Sequence, residues 1–382
     1  MTFVKGLELS RLFYFQAVRP ILESQFPGLA YSAALLGSGS EVLGYDTEMS
    51  SDHHWGPRVM LFTQPGPGLQ LYQAIDRAMA DQLPLTFLGY PTNFAPSNPQ
   101  DNGVRLLQAV SQGPVAHRVE VSTVSGFFQD YLGVSPQAEL SPAGWLTLQE
   151  QRLLGVTAGE VYYDGLAPAG LEAARARFAY YPTDIWLYLL AAQWMKISQE
   201  EPFVGRCGCV GDELGSRLVA ARLVGILMRL GFLLEKRYAP YSKWFGTAFN
   251  RLACAASFNP LFERVFQAAT WQERQAALGP AYELAAELHN RLGITPPLPV
   301  QVSNFHGRPF PVIHAETFAE AAASAIQNPQ VRALSAYAGS VNQFLDSVDV
   351  LDNLELCQRL KGIFSDSFNS GPQAQKTIKP PV

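Results

Sequence analysis

The sequence predicts an α+β protein, in which a small mixed sheet with flanking helices is followed by an all-helical domain. Strand patterns are confined to about the first 125 residues, whereas long runs of helical periodicity dominate after residue 145. The chain of 382 residues also exceeds the size of one ordinary hydrophobic core. We therefore expect an α+β domain over residues 1–150, a helical bundle over 151–364 and a flexible tail over 365–382.

Three segments have the character of β-strands. Residues 29–36 form an apolar run that closes on Gly-Ser-Gly-Ser, and residues 58–63 end at a loop rich in proline and glycine. Residues 117–124 alternate in polarity and are rich in β-branched side chains. These three strands form the predicted sheet.

Helical periodicity predicts a helix over the first 30 residues, which Pro20 kinks or interrupts, and another over residues 69–82. Short breaks at proline or glycine separate the helices that are predicted later in the chain. These later helices cover residues 184–199, 212–237, 244–256, 261–270, 272–292, 315–328 and 330–348.

The composition excludes several classes of protein. Charged residues make up 16% of the chain, against about 25% in typical soluble domains, so a large core can be buried. The net charge of -5 argues against non-specific nucleic-acid binding. Four cysteines are too few for a disulfide framework in a chain of this length, and no apolar run approaches the ~20 residues that span a bilayer. We expect a cytoplasmic protein without a membrane segment.

One segment, residues 37–58, concentrates the residue types that bind phosphate and metal. It contains four Gly, four Ser, four acidic residues and two adjacent His between two predicted strands. Backbone N–H groups in a Gly39-Ser40 turn at a helix N-terminus would form a nest for phosphate oxygens, with the Ser40 hydroxyl as a further donor. Asp52 and His54 are two residues apart, so their side chains share one face of a strand and can converge on one metal.

A carboxylate on the third strand extends this pattern. Glu120 has a valine on either side, so its side chain faces away from both of them. Glu120 could complete a site that holds Mg²⁺ against a nucleoside triphosphate. An exposed glutamate on a half-buried strand is the alternative interpretation of this residue.

A Gly-Ser pair followed, after eleven residues, by an acidic residue resembles the polymerase-β-like nucleotidyltransferase superfamily. Residues 37–58 resemble more closely the bacterial family catalogued as domain of unknown function 4037. Further similarity occurs at Trp145-Leu146, at residues 181–188, at Ala192-Gln193-Trp194 and at residues 238–245. The resemblance covers about residue 5 to about residue 360.

The resemblance implies a metal-dependent nucleotidyltransferase. Such an enzyme moves a nucleoside monophosphate from ATP or another nucleoside triphosphate to an acceptor, here an unknown small molecule or protein. Asp52 and Glu120 would be the catalytic acids, with Asp52, His54, Glu120 and Asp46 as metal ligands. The ion would be Mg²⁺ or Mn²⁺.

The sequence departs from the superfamily at His54, where an acid is usual. Imidazole suits Zn²⁺, Mn²⁺ or Ni²⁺ better than Mg²⁺, which prefers oxygen ligands. Three interpretations remain open: the site binds a single metal, Asp46 or Glu48 supplies the missing oxygen, or turnover has been lost. The last of these describes a nucleotide-binding module.

The nucleotidyltransferases that this sequence resembles bind the triphosphate with cationic side chains from a helical domain. Residues 205–243 carry seven basic and three acidic side chains in a chain that is acidic overall. Lys243 lies next to Trp244 and is the first candidate for this role, together with Arg222 and Arg229. Solvated arginines on a long helix are the alternative interpretation.

Two other interpretations apply to the segment of residues 37–58. Asp52-His53-His54 also matches the signature of the DHH phosphoesterases, but those manganese enzymes need an upstream Asp-x-Asp, and the sequence before residue 52 lacks one. A surface loop in which Asp46 and Asp52 are turn residues is the alternative without any chemistry.

Overall fold

The computed structural model describes residues 3–52, 55–66, 68–97 and 104–364, without the side chains of Ser51 and Asp52. The predicted α+β class is confirmed, because a small mixed sheet lies in the first part of the chain and helices dominate the remainder. Contacts divide the chain into two compact units. The first comprises Met1–Glu139 and Gln151–Ala179, and the second comprises Leu140–Glu150 and Tyr180–Val382.

The sheet of the first unit has four strands in the order β5-β2-β1-β6. The strands of the described chain are β1 (Tyr31–Leu35), β2 (Arg58–Thr63), β3 (Thr86–Phe87), β4 (Tyr90–Pro91), β5 (Arg118–Thr123), β6 (Glu160–Asp164), β7 (Ser303–Phe305) and β8 (Arg308–Val312). β1 pairs antiparallel with β2 and β6, whereas β2 and β5 run parallel. The three predicted strands are therefore β1, β2 and β5, each within two residues of its predicted bounds.

Helices cover one face of this sheet. The helices of the first unit are α1 (Gly6–Phe13), α2 (Arg19–Gln25), α3 (Gly68–Gln82), α4 (Val124–Leu132), α6 (Glu150–Thr157, whose first residue belongs to the second unit) and α7 (Leu171–Arg177). Val59, Leu61 and Val119 point toward α1, α2 and α3 and form a buried core with them. A π-helical turn, Tyr14–Val18, joins α1 to α2, whose second residue, Pro20, cannot donate a backbone hydrogen bond.

The opposite face of the sheet lies beside α4. This helix begins directly after β5, where the Thr123 side chain accepts a hydrogen bond from the Gly126 N–H at 2.9 Å. It ends at Gly133, whose φ of 73° gives the left-handed C-terminal cap. Because α4 follows β5 without a loop, its position over this face is fixed by the strand.

The second unit is mainly helical. Its helices are α5 (Pro142–Leu146), α8 (Thr183–Glu200), α9 (Phe203–Cys209), α10 (Glu213–Leu234), α11 (Ser242–Phe249), α12 (Ala255–Gln267), α13 (Trp271–Arg291), α14 (Ala315–Ser324), α15 (Pro329–Arg332), α16 (Val341–Phe344), α17 (Val348–Asp352) and α18 (Leu354–Arg359). α8 packs against α10 and α14, and the Trp194 ring stacks on Phe318 with 4.4 Å between centroids.

Several predictions about elements are wrong. β6 occurs in a region that was expected to be helical, and β7 and β8 form an unpredicted hairpin. The single helix predicted over residues 330–348 is replaced by the short helices α15 and α16. The predicted tail lies outside the described residues. Within the described part of the chain, no helix is both long enough and apolar enough to cross a bilayer.

Candidate functional site

The turn after β1 depends on two glycines. Gly37 and Gly39 have φ values of 86° and 136°, which L side chains rarely adopt. A Cβ atom at Gly39 would also lie 2.5 Å from the Glu41 carboxylate. Residues 40–44 form a hydrogen-bonded turn in which the Tyr45 N–H donates to the Ser40 carbonyl at 2.8 Å. The expectation of a helix N-terminus at Gly39-Ser40 is therefore wrong.

A buried ion pair fixes this turn to the sheet. Arg58, the first residue of β2, pairs with Glu41, whose exposed fraction is only 2%. The same guanidinium donates from Nη2 to the Ser38 carbonyl at 3.1 Å. Arg58 therefore contacts the glycine turn on both sides of Gly39. The Nε–H of Arg58 has no hydrogen-bond partner among the described residues.

Asp46 is buried against the start of α1. Its Oδ2 accepts hydrogen bonds from the Gly6 N–H at 2.6 Å and from the Trp55 Nε1–H at 3.1 Å. The Lys5 ammonium lies 3.6 Å from Oδ1. These contacts give Asp46 a structural role at the N-terminus of α1; its contribution to a metal site stays a prediction.

A cavity of about 270 Å³ lies between α4 and the face of the sheet opposite α1, α2 and α3. It is lined by Leu35, Leu36, Gly37, Ser38, Arg58, Val59, Met60, Arg118, Glu120, Phe127, Asp130 and Tyr131. Because β2 and β5 are in parallel register, Met60 is paired with Glu120 and Arg58 with Arg118. The cavity thus brings the predicted Glu120 together with the turn that precedes Gly39-Ser40.

Glu120 and Arg118 form an ion pair at the edge of this cavity. Arg118 Nη2 lies 2.7 Å from Glu120 Oε1, and the two side chains are 14% and 53% exposed, respectively. Burial lowers the pKa of Arg118, and the nearby charge of Arg58 lowers it further. Asp130 adds a second exposed carboxylate from α4.

The histidine part of the motif lies beyond what the structure describes. The backbone of Asp52 ends a 3₁₀ turn, Glu48–Asp52, whereas His53 and His54 are outside the described residues. Among the residues whose side chains are described, no group of three His, Cys, Asp or Glu is arranged to hold a metal ion. The metal roles of Asp52 and His54 stay predictions.

The predicted cations of the helical domain occur in three different environments. Arg222 is largely exposed and pairs with Glu200. Arg229 pairs with the buried Glu150 at 3.0 Å and lies over the Phe245 ring. Lys243 is exposed, with its ammonium 5.2 Å from the centroid of the Trp244 ring. Their role in binding a triphosphate stays a prediction.

Arg58, Arg118 and Asp130 are site residues that the sequence did not reveal. Arg58 ends the segment of residues 37–58 but was assigned no role, and Arg118 was interpreted only as part of a strand. The pairing of Arg58 with Arg118 could not be found without the register of β2 and β5, which join segments 60 residues apart. Asp130 becomes part of the cavity through its position on α4.

The second unit contains a buried aromatic and acidic cluster. The Tyr181 ring contacts the rings of Trp145 and Tyr238, with centroid distances of 6.1 and 5.2 Å. Glu150 accepts a hydrogen bond from the Ala239 N–H at 3.3 Å. Burial raises the pKa of Glu150, whereas the charge of Arg229 opposes the rise. Segments that are distant in sequence therefore form one core.

Comparison with known proteins finds a match in the segment that contains this cluster. Residues 145–245 match the family described as Domain of unknown function (DUF4037). This match confirms the resemblance to that family over the central segment, which includes Trp145, Tyr181 and Tyr238. No curated protein and no solved structure matches the chain. The relation to the polymerase-β-like superfamily stays a prediction.

Proposed function

We propose that this protein is a metal-dependent nucleotidyltransferase, which moves a nucleoside monophosphate from ATP or another nucleoside triphosphate to a small-molecule or protein acceptor. One observation carries the proposal: a single cavity is lined by Gly37, Ser38 and Glu120. These residues come from the two segments to which the sequence assigned phosphate and metal binding. A cytoplasmic location belongs to the same proposal.

Two carboxylates at the cavity supply oxygen atoms of the kind that a divalent ion binds. Glu120 and Asp130 both line the cavity, and carboxylate oxygens are ligands that Mg²⁺ and Mn²⁺ accept. Asp52 and Glu120 would hold the ion, with His54 and Asp46 as the further predicted ligands. When bound, the ion would neutralise charge on the phosphate oxygens.

The proposed reaction is an in-line displacement at the α-phosphorus. An oxygen of the acceptor hydroxyl forms a bond to this phosphorus, while the bond to the oxygen that bridges the α- and β-phosphates breaks. Pyrophosphate leaves with the electron pair of the broken bond. A carboxylate oxygen of Asp52 or Glu120 takes the hydroxyl proton.

A nucleotide-binding module without turnover is the second candidate. The ion pair between Glu120 and Arg118 favours it, because a carboxylate that is held by a guanidinium is less available to a metal. Both candidates predict thermal stabilisation of the chain by ATP with a divalent metal. Only the enzyme releases pyrophosphate when it is offered the right acceptor.

Substitutions in the predicted motif test the metal site. Asp52→Asn should preserve the fold and abolish the part of the ATP stabilisation that depends on Mg²⁺, because a neutral amide binds the ion far more weakly. His54→Asp should strengthen the Mg²⁺ dependence, and His53→Ala should change it least. Thermal unfolding with ATP, with and without Mg²⁺, measures all three. An unchanged Mg²⁺-ATP shift in Asp52→Asn would place the metal elsewhere.

A further inference from the structure

Two arginines lie side by side in the floor of the cavity. Parallel pairing of β2 and β5 sets Arg58 directly opposite Arg118. Neighbouring strands are ~4.8 Å apart, so the two side chains leave the same face of the sheet next to each other. Both side chains line the cavity, and they are only 10% and 14% exposed.

Placing these two cations side by side costs free energy, which the carboxylates paired with them have to offset. Each guanidinium is removed from water, and the two like charges repel. Arg58 keeps a buried Nε–H without a hydrogen-bond partner among the described residues. A buried donor of this kind is normally satisfied, so a polar ligand is expected beside it.

The two arginines have carboxylate partners of different character. Glu41, the partner of Arg58, is buried and forms part of the glycine turn. Glu120, the partner of Arg118, is about half exposed, so its carboxylate can turn into solvent once another anion neutralises Arg118. An incoming anion can therefore replace Glu120 on Arg118 but cannot replace Glu41 on Arg58.

We propose that Arg58 and Arg118 bind a phosphate-type anion of the pyrophosphate class, and that Glu120 occupies Arg118 only until this anion replaces it. Guanidinium groups match the oxygens of phosphates with paired, charge-assisted hydrogen bonds. The identification of this anion with the triphosphate end of a nucleotide rests on the proposed function. The replacement also frees the Glu120 carboxylate to bind a divalent cation. The anion and this cation would therefore enter the cavity together.

Calorimetric titration of the full chain with inorganic pyrophosphate, in EDTA to remove divalent metal, tests this inference. Arg118→Gln should weaken binding about ten- to a hundredfold, since a hydrogen bond to a charged group contributes ~1.5–3 kcal/mol. Glu120→Gln should tighten binding about two- to fivefold, because it removes the competing carboxylate of a half-exposed ion pair. Arg77→Gln, which makes the same change on the exposed face of α3, should leave the affinity unchanged.

The control variant Arg77→Gln distinguishes binding at Arg118 from a general effect of the charge of the protein. If charge alone governed binding, Arg77→Gln would weaken it as much as Arg118→Gln, and that result would overturn the inference. Equal pyrophosphate affinity in wild type and Arg118→Gln, or no binding by wild type, would overturn it as well. Because Arg58→Gln alone leaves Glu41 buried without a partner, the double variant Glu41→Gln/Arg58→Gln tests the second arginine, with the same expected loss.

The test also distinguishes this inference from the proposed function. Pyrophosphate binding that depends on Arg118, in a chain that transfers no nucleotide, would support the anion site and contradict the enzyme. Nucleotide transfer that survives Arg118→Gln with unchanged ATP affinity would support the enzyme and contradict the anion site.

Discussion

At the scale of single residues, the glycine turn is specified by the packing beneath it. Gly39 leaves room for the Glu41 carboxylate, and Glu41 in turn neutralises Arg58. Removing one member of a buried ion pair leaves an uncompensated charge, which costs more than the pair contributes. The turn and the cavity therefore depend on the same two charges.

Glu41→Gln should lower the free energy of unfolding by about 3 kcal/mol, because Arg58 then stays buried without its counter-charge. The double variant Glu41→Gln/Arg58→Gln should recover most of this loss, since no buried charge remains. Urea denaturation followed by tryptophan fluorescence measures both variants. A double variant that is less stable than Glu41→Gln would contradict this assignment.

His289 provides a second prediction at this scale. Its Nδ1 accepts a hydrogen bond from the Trp194 Nε1–H at 3.1 Å, and its Nε2 lies 3.2 Å from the Thr295 hydroxyl. The Nδ1 atom can accept only while it is unprotonated. Burial lowers the pKa of His289 to about 4, so the folded protein binds this proton less readily than the unfolded chain.

Stability should therefore be fully present above about pH 6.5 and should fall as the pH decreases toward 4, by about 3 kcal/mol in total. His289→Asn keeps an acceptor for Trp194 and removes the titration, so its stability should vary less over this range. His306→Asn changes an exposed histidine and serves as the control. Urea midpoints at several pH values give the result, and equal slopes for wild type and His289→Asn would contradict the prediction.

At the scale of elements, the motif loop also anchors α1. Asp46 accepts the N–H of Gly6, the first residue of this helix, and a carboxylate at a helix N-terminus is favourable. The helix then contributes Leu9 and Phe13 to the core beneath the sheet. The loop therefore connects the cavity face of the sheet to its core face.

Asp46→Asn should lower stability by about 1 kcal/mol, because the amide oxygen still accepts the Gly6 N–H but the charge at the helix terminus is lost. If Asp46 is purely structural, the Mg²⁺-dependent part of the ATP stabilisation should be unchanged in this variant. Its loss would assign Asp46 to the metal site. Thermal unfolding with and without Mg²⁺-ATP gives both values.

The sequence predicted those elements whose signal is local. β1, β2 and β5 have apolar or alternating patterns between turn residues, and α8, α10 and α13 have long helical periodicity with clear breaks. β6 was missed because it is only partly buried and is defined by pairing with β1, which lies over a hundred residues earlier. Such a pairing leaves little pattern in the strand itself.

The residues of the candidate site also divide into those with a local sequence signal and those that depend on long-range pairing. Glu120 was predicted correctly to face away from its valine neighbours, because alternation along a strand is a local property. The helix expected after Gly39-Ser40 does not form, because the buried Glu41 turns the chain back toward Arg58. The two arginines of the cavity depend on the register between strands, which a single sequence does not reveal.

At the scale of the whole molecule, the family match and the candidate site lie in different segments. The match covers residues 145–245, whereas the residues that line the cavity lie between Leu35 and Tyr131. The buried cluster around Glu150 and Tyr181 lies within the matched segment. The proposed activity therefore depends on the cavity and its chemistry, and the match itself adds no catalytic residue.

Transfer of the α-phosphate is the most direct test of the proposed activity. The full chain would be incubated with Mg²⁺ or Mn²⁺, a pool of candidate acceptors, and ATP labelled either at the α- or at the γ-phosphate. We expect the α-label to move to an acceptor while the γ-label is released in pyrophosphate, and both changes to disappear in Glu120→Gln. Transfer of the γ-label to an acceptor, or its release as single phosphate, would contradict a nucleotidyltransferase.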